Sequence, residues 1–197
     1  MPASPLSALH PPIEKPLPDV TTERLELRRF RADDLDALAA VFAKPEVWRF
    51  PYGRGLDRAE TRDFLDGQLA AWEATGFGLW LAIERASTRA IGFVGLSIPE
   101  FLPEVLPAVE VGWRFHPASW GRGLATEGAR AALREGFETL GLAEICSVPQ
   151  SENPRSVRVC ERLGMQRERE VEIPANERRG ALRAELYALS AGAWRSG

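Results

Sequence analysis

The run Trp120-Gly121-Arg122-Gly123-Leu124-Ala125-Thr126-Glu127 sets two glycines and a small residue between an alternating apolar stretch, 109–115, and a long amphipathic one. A glycine turn from a strand into a helix leaves the first helical N–H groups without partners and aims them at one place. The helix dipole adds partial positive charge there, so the place suits an anion. Arg122 brings a full charge between the glycines. The chemistry implied is capture of a diphosphate; without a ligand, the same glycines would serve only to start a helix. Two familiar phosphate loops do not fit. The dinucleotide fingerprint needs glycine where Thr126 stands, and the Gly-Lys-Ser/Thr of a mononucleotide loop is absent.

Two further segments lie in order around this loop. Glu110-Val111-Gly112-Trp113 precedes it, and Asn153-Pro154-Arg155-Ser156, closing on Leu163-Gly164-Met165, follows. Together the three resemble the GNAT acetyltransferase superfamily, whose loop reads Gln/Arg-x-x-Gly-x-Gly/Ala. Trp120, Gly123 and Ala125 stand at its first, fourth and sixth places. Trp at the first place departs from that pattern. It is similar to the Trp-Gly-x-Gly-x-Ala-Thr-Glu form of the RimJ/RimL branch, which includes N-terminal acetyltransferases of ribosomal proteins. The resemblance runs more loosely from about 22 to 189.

The resemblance implies acetyl-CoA as cosubstrate, a primary amine as acceptor (a protein N-terminus or a small amine), and direct attack of the amine in a ternary complex. Its diphosphate would rest on the amides of Gly121, Arg122, Gly123, Leu124, Ala125 and Thr126. Its pantetheine would lie along Val111, Gly112 and Trp113 like an added strand, with Asn153 and Ser156 as further contacts. For catalysis it implies Glu110 as base, directly or through water, the Trp113 region as oxyanion donor, and Ser156 as a proton or hydrogen-bond donor to the leaving sulfur. Each residue also has a plainer use: Glu110 as a surface carboxylate, Asn153 and Ser156 as helix-capping groups. Trp48, Phe50, Tyr52, Glu100 and Glu104 fall on loops that flank the acceptor in the family. A CoA-binding module without turnover is the alternative reading.

The elements that must position these residues follow from periodicity. Alternation predicts strands over 24–30, 78–84, 90–98, 109–115, 143–148, 167–173 and 181–189. Helical spacing predicts four helices: from Asp33 or Asp34 to about Phe42, from about Arg58 to Gly76, from Leu124 to Leu140, and from Ser151 or Asn153 to Gly164. The expected fold is α/β (α+β), GNAT-like: a mixed, mostly antiparallel sheet of about seven strands, flanked by about four helices and splayed between the fourth and fifth. One domain is expected over 21–192. Residues 1–20 hold six prolines, which fix φ and lack a donor, so they read as an extended or disordered arm.

Composition narrows the rest. At 197 residues the chain suits one domain with a real core. A hydrophobic share of 45% with 27% charged residues is that of an ordinary globular domain. A net charge of −3 gives no general attraction for nucleic acid, so anion affinity must be local. Cys146 and Cys160 fall in apolar patterns and read as buried thiols, and with His10 and His116 they offer no metal-ligand spacing. No metal is therefore expected. No apolar run is long enough to span a membrane, and no secretory leader is read at the N-terminus. A cytoplasmic protein is expected, as a monomer or, through apolar edges on the last strands, a homodimer.

Overall fold

The computed structural model describes residues 13–196. Its strands are β1 (Val20–Thr21), β2 (Leu25–Arg28), β3 (Leu79–Glu84), β4 (Arg89–Ser97), β5 (Glu110–Phe115), β6 (Glu144–Ser147), β7 (Gln166–Ile173) and β8 (Leu182–Ser190). Its helices of six or more residues are α1 (Leu35–Phe42), α2 (Arg58–Thr75), α3 (Leu124–Arg134), α4 (Pro154–Arg162) and α5 (Ala191–Ser196). They form the mixed α/β fold expected from the sequence. One sheet of eight strands runs β1-β2-β3-β4-β5-β6-β8-β7, antiparallel throughout except between β5 and β6. The eighth strand, beyond the seven expected, is the two-residue β1, paired Val20 to Leu27.

Strand alternation divides the core into two faces. On one, α3 lies over Trp80, Val94, Leu96, Val111 and Phe115. On the other, α1 and α2 bring Leu38, Phe42 and Leu65 onto Leu79, Leu81 and Phe93. Gly128 lets α3 lie close to the sheet, since a Cβ there would be 2.8 Å from Val94 Cγ1. Helix α2 begins at a capping box: Asp57 accepts from the Glu60 amide at 2.8 Å, and Glu60 accepts from the Asp57 amide at 3.0 Å.

Three features differ from the periodicity reading or add to it. The segment 13–20 bends at Glu14 and Lys15 and is packed: Leu17 is fully buried, and the Ile13 and Leu17 amides donate to Thr75 and Gly76 carbonyls. The rest of the proline-rich segment, 1–12, lies outside the described residues. The C-terminal helix α5 has too short a pattern to read. It forms because Trp194 stacks on Phe137, ring centroids 5.6 Å apart. The sheet ends on β7, where Arg167, Glu168, Arg169, Glu170 and Glu172 are exposed. That edge is charged rather than apolar, which discourages strand-to-strand association.

Candidate active site

The site begins where the sheet comes apart. β5 and β6 share one register pair, Glu110 with Cys146, and the Cys146 amide donates to the Val109 carbonyl at 2.9 Å. Beyond that point the chain after β6 belongs to β8. The Glu185 amide donates to the Pro149 carbonyl at 2.9 Å and the Ser151 amide to the Arg183 carbonyl at 3.1 Å. The Val148 amide, robbed of a β5 carbonyl, donates to Glu110 Oε1 at 3.2 Å. The Glu110 carboxylate therefore sits at the apex of the opening.

On its other side β5 pairs with β4 in unbroken register. The His116 amide donates to the Ile91 carbonyl at 2.7 Å. Alternation then turns the even-numbered amides of β5 toward β4 and sends those of Trp113 and Phe115 into the opening, with the Val111 and Trp113 carbonyls. The Phe115 carbonyl confirms the sense, accepting from Trp120 Nε1 at 2.8 Å. Gly112 faces open space, with nothing within 4 Å of where a Cβ would stand.

At the wide end lies the glycine loop. Gly121 and Gly123 adopt φ of +73° and +78°, a region side chains avoid. The Glu127 amide makes the first helical bond, to the Gly123 carbonyl at 3.0 Å. The amides of Leu124, Ala125 and Thr126 have no place in the α3 ladder, and no side chain caps this helix. Arg122, expected to lend charge to the loop, has its guanidinium on Glu84 at 2.5 Å. Glu127 ties the loop to the sheet edge: it accepts from Thr22 Oγ1 and pairs with Arg24 Nε, each at 2.6 Å. Beside the loop is an open cleft of about 540 Å³ bordered by Arg24, Gly121, Gly123, Thr126, Arg130 and Arg162.

The start of α4 lies against Trp120, at the entry to the loop. Asn153 Oδ1 accepts from the Ser156 amide at 3.3 Å, and Asn153 Nδ2 donates to Ser156 Oγ at 3.0 Å. Asn153 is thus the helix cap and also leaves the Ser156 proton free to donate elsewhere. Arg155 stacks over the Trp120 ring at 4.6 Å, joining α4 to the loop. Cys160, one turn on, is fully buried, and burial pushes its thiol up to about 12.

Glu110, Gly112 and Arg114 share the β5 face turned toward α1 and α2. Burial pushes the Glu110 carboxyl up to about 7, although the Val148 amide and the Arg114 charge pull the other way. By surface the residue is only half-buried, but it lies deep in the protein mass, and the second circumstance governs its solvation. Burial also lowers Arg114, to about 10. Its guanidinium lies 3.9 Å from the Trp48 ring centroid and donates to the Val47 carbonyl and to that of Phe50, the latter at 2.7 Å. Arg114 therefore clamps the segment carrying Trp48, Phe50 and Tyr52 onto β5.

Of the residues expected near an acceptor, Trp48 is packed edge-on to Phe42 and stacked on Tyr52. Glu100 borders a smaller pocket, about 250 Å³, with Gln68 and Ser97. Glu104 is spoken for by Arg169 at 2.7 Å. The glycine loop borders the cleft, Glu110 stands where β5 and β6 part, and Asn153 and Ser156 stand together at the start of α4. Sequence reasoning passed over Arg114, whose signal was its even spacing from Glu110, and Arg24, Arg130, Arg155 and Arg162, which carried none.

Residues 24–166 match the acetyltransferase (GNAT) domain. This chain belongs to the GNAT acetyltransferase family. The N-acetyltransferase YnaD of Bacillus subtilis, itself uncharacterised, is 42% identical over 149 residues, 76% of this chain and 83% of the relative. A GNAT-family acetyltransferase structure from Bacillus anthracis superposes with a TM-score of 0.72 at 25% identity, covering 88% of this chain and 99% of that one. The ribosomal-protein α-N-acetyltransferase RimL, in complex with coenzyme A, shares the fold with a TM-score of 0.71 at 17% identity over 88% of this chain and 98% of that one. The family uses acetyl-CoA, and the chain is an acetyl-CoA-dependent acetyltransferase of this family. Its residues fit that cosubstrate: uncapped amides face the cleft for a diphosphate, and Gly121 leaves clear space where a Cβ would stand.

Proposed function

We propose that the enzyme moves the acetyl group of acetyl-CoA to a primary amine, a protein N-terminus or a small amine, by direct attack in a ternary complex, with Glu110 as the base. The observation that carries the proposal is a carboxylate held at about 7 where β5 and β6 part. A general base works best with a pKa near the operating pH. Ordinary glutamates are far too acidic for this; burial makes Glu110 suitable.

The cosubstrate supplies an activated thioester, and the chain supplies placement and charge. The amides from Gly121 to Thr126 hold the diphosphate, each charge-assisted bond contributing about 1.5–3 kcal/mol. Val111, Gly112 and Trp113 align the pantetheine, Asn153 adds a contact, and the Trp113 amide polarises the thioester oxygen. Glu110 takes the ammonium proton, directly or through a water. Ser156, its oxygen engaged by Asn153, donates toward the departing sulfur. An α-amino group, with pKa of about 7.7–8.0, lies closer to this base than a lysine at about 10.4. The likeness in fold to RimL agrees with an N-terminal acceptor, and the small pocket past Ser97 agrees equally with a compact amine.

The test is release of free thiol from acetyl-CoA, followed with a panel of N-terminal peptides, free amino acids and diamines. An acceptor-dependent rate that drops at least 100-fold in Glu110→Gln supports the proposal. Full activity of that variant at every pH would remove Glu110 from the mechanism.

A further inference from the structure

The cleft beside the glycine loop carries cations that a diphosphate on backbone amides leaves unused. Five charged side chains border it: Glu23, Arg24, Glu127, Arg130 and Arg162. Two of them cancel, since Arg24 pairs with Glu127 at 2.6 Å and spends Nη1 on the Arg122 carbonyl at 2.7 Å. Among the described residues neither Arg130 nor Arg162 meets a carboxylate. Arg130 Nη2 instead donates to the Arg162 carbonyl at 3.1 Å, which ties the two positions together across α3 and α4. Glu23 is the one opposing charge left. A net positive site in a chain of net charge −3 is a local arrangement, not a general basicity.

Position matters as much as charge. Arg130 follows Thr126 by four residues, so it stands on the same face of α3, about 6 Å further along the axis from the last free amide. Two guanidiniums suit a phosphomonoester, which bears a charge of about −1.5 to −2 near neutrality and three acceptor oxygens.

We infer that Arg130 and Arg162 form a second phosphate subsite, for the 3′-phosphomonoester that distinguishes coenzyme A from its dephospho form. The inference rests on the cofactor placement proposed above. The enzyme then selects the complete cofactor at its ribose end, away from the reacting thioester.

The experiment is calorimetric titration of the wild-type chain and of the Arg130→Gln/Arg162→Gln double variant, each with coenzyme A and with 3′-dephospho-coenzyme A. The wild type should favour coenzyme A at least tenfold. The double variant should lose that preference while binding the dephospho form as the wild type does, which also shows that it is folded. Equal wild-type affinities, or a preference that survives in the variant, would overturn the subsite and leave the glycine-loop site standing. Failure of the wild type to bind either compound would bring down the cofactor placement, and the subsite with it.

Discussion

The two ends of the β5–β6 opening present charge by different means. At the wide end, the glycine loop presents backbone amides at the surface, where water is plentiful and side chains serve mainly as ties. At the narrow end, Glu110 and Arg114 lie deep in the protein, and burial alone moves both toward neutrality. In the proposed reaction, backbone geometry would give the first end an anion site that needs no titrating group. In the same proposal, the second end would supply the proton acceptor, because its carboxylate is poorly solvated. A site for group transfer to an amine needs both, and β5 with the five residues after it, 116–120, runs from Glu110 to the loop.

The sharpest way to break the first half is to fill the loop. Gly121→Val with Gly123→Val forces side chains into positive φ, at about 1–2 kcal/mol each, and displaces the amides. Affinity for acetyl-CoA by titration should fall about 1000-fold, some 4 kcal/mol.

The buried end shows its cost in stability. In the unfolded chain Glu110 titrates at the ordinary 4.5; folded, it keeps its proton to about 7. Between those values the folded state binds more protons, so stability falls as pH rises from 4.5 to 7 and stays lower above. The integrated loss is about 3 kcal/mol. Glu110→Gln still accepts from Val148 but does not titrate. Urea unfolding at pH 8 should show the variant more stable than wild type by up to that amount, with the difference gone near pH 4.5. A variant less stable at pH 8 would mean the carboxylate is not strained by burial.

Arg114→Met should cost about 2–3 kcal/mol, because the Val47 and Phe50 carbonyls lose their donor. Since the Arg114 charge lowers Glu110, its removal should also move the kinetic pKa of the enzyme above about 7. The smallest effect should come from Arg122→Ala. With its guanidinium on Glu84, it should change acetyl-CoA affinity less than about threefold.

The unequal legibility of the two ends has a physical reason. Glycines at a strand-to-helix junction leave a mark in the sequence because few other residues adopt φ near +75°, and the fold around them follows from periods of 2 and 3.6. Asn153 was legible for a different reason, as a side chain suited to cap a helix. Burial leaves no such mark. Glu110 reads as an exposed strand residue until β6 and the Val148 amide close over it, and Arg114 reads as surface until Trp48 covers it. Arg130 and Arg162 lie on different helices and meet only through the tertiary fold. Trp194 and α5 were missed likewise, being stable only against Phe137.

The central claim, that burial makes Glu110 the base, is tested most directly by kcat against pH at saturating acetyl-CoA and acceptor, for wild type and Glu110→Gln. The wild type should gain about tenfold per pH unit below an apparent pKa near 7 and level off above it, while the variant should be at least 100-fold slower and lack that limb. A variant that keeps both the wild-type rate and its pH profile would contradict the account.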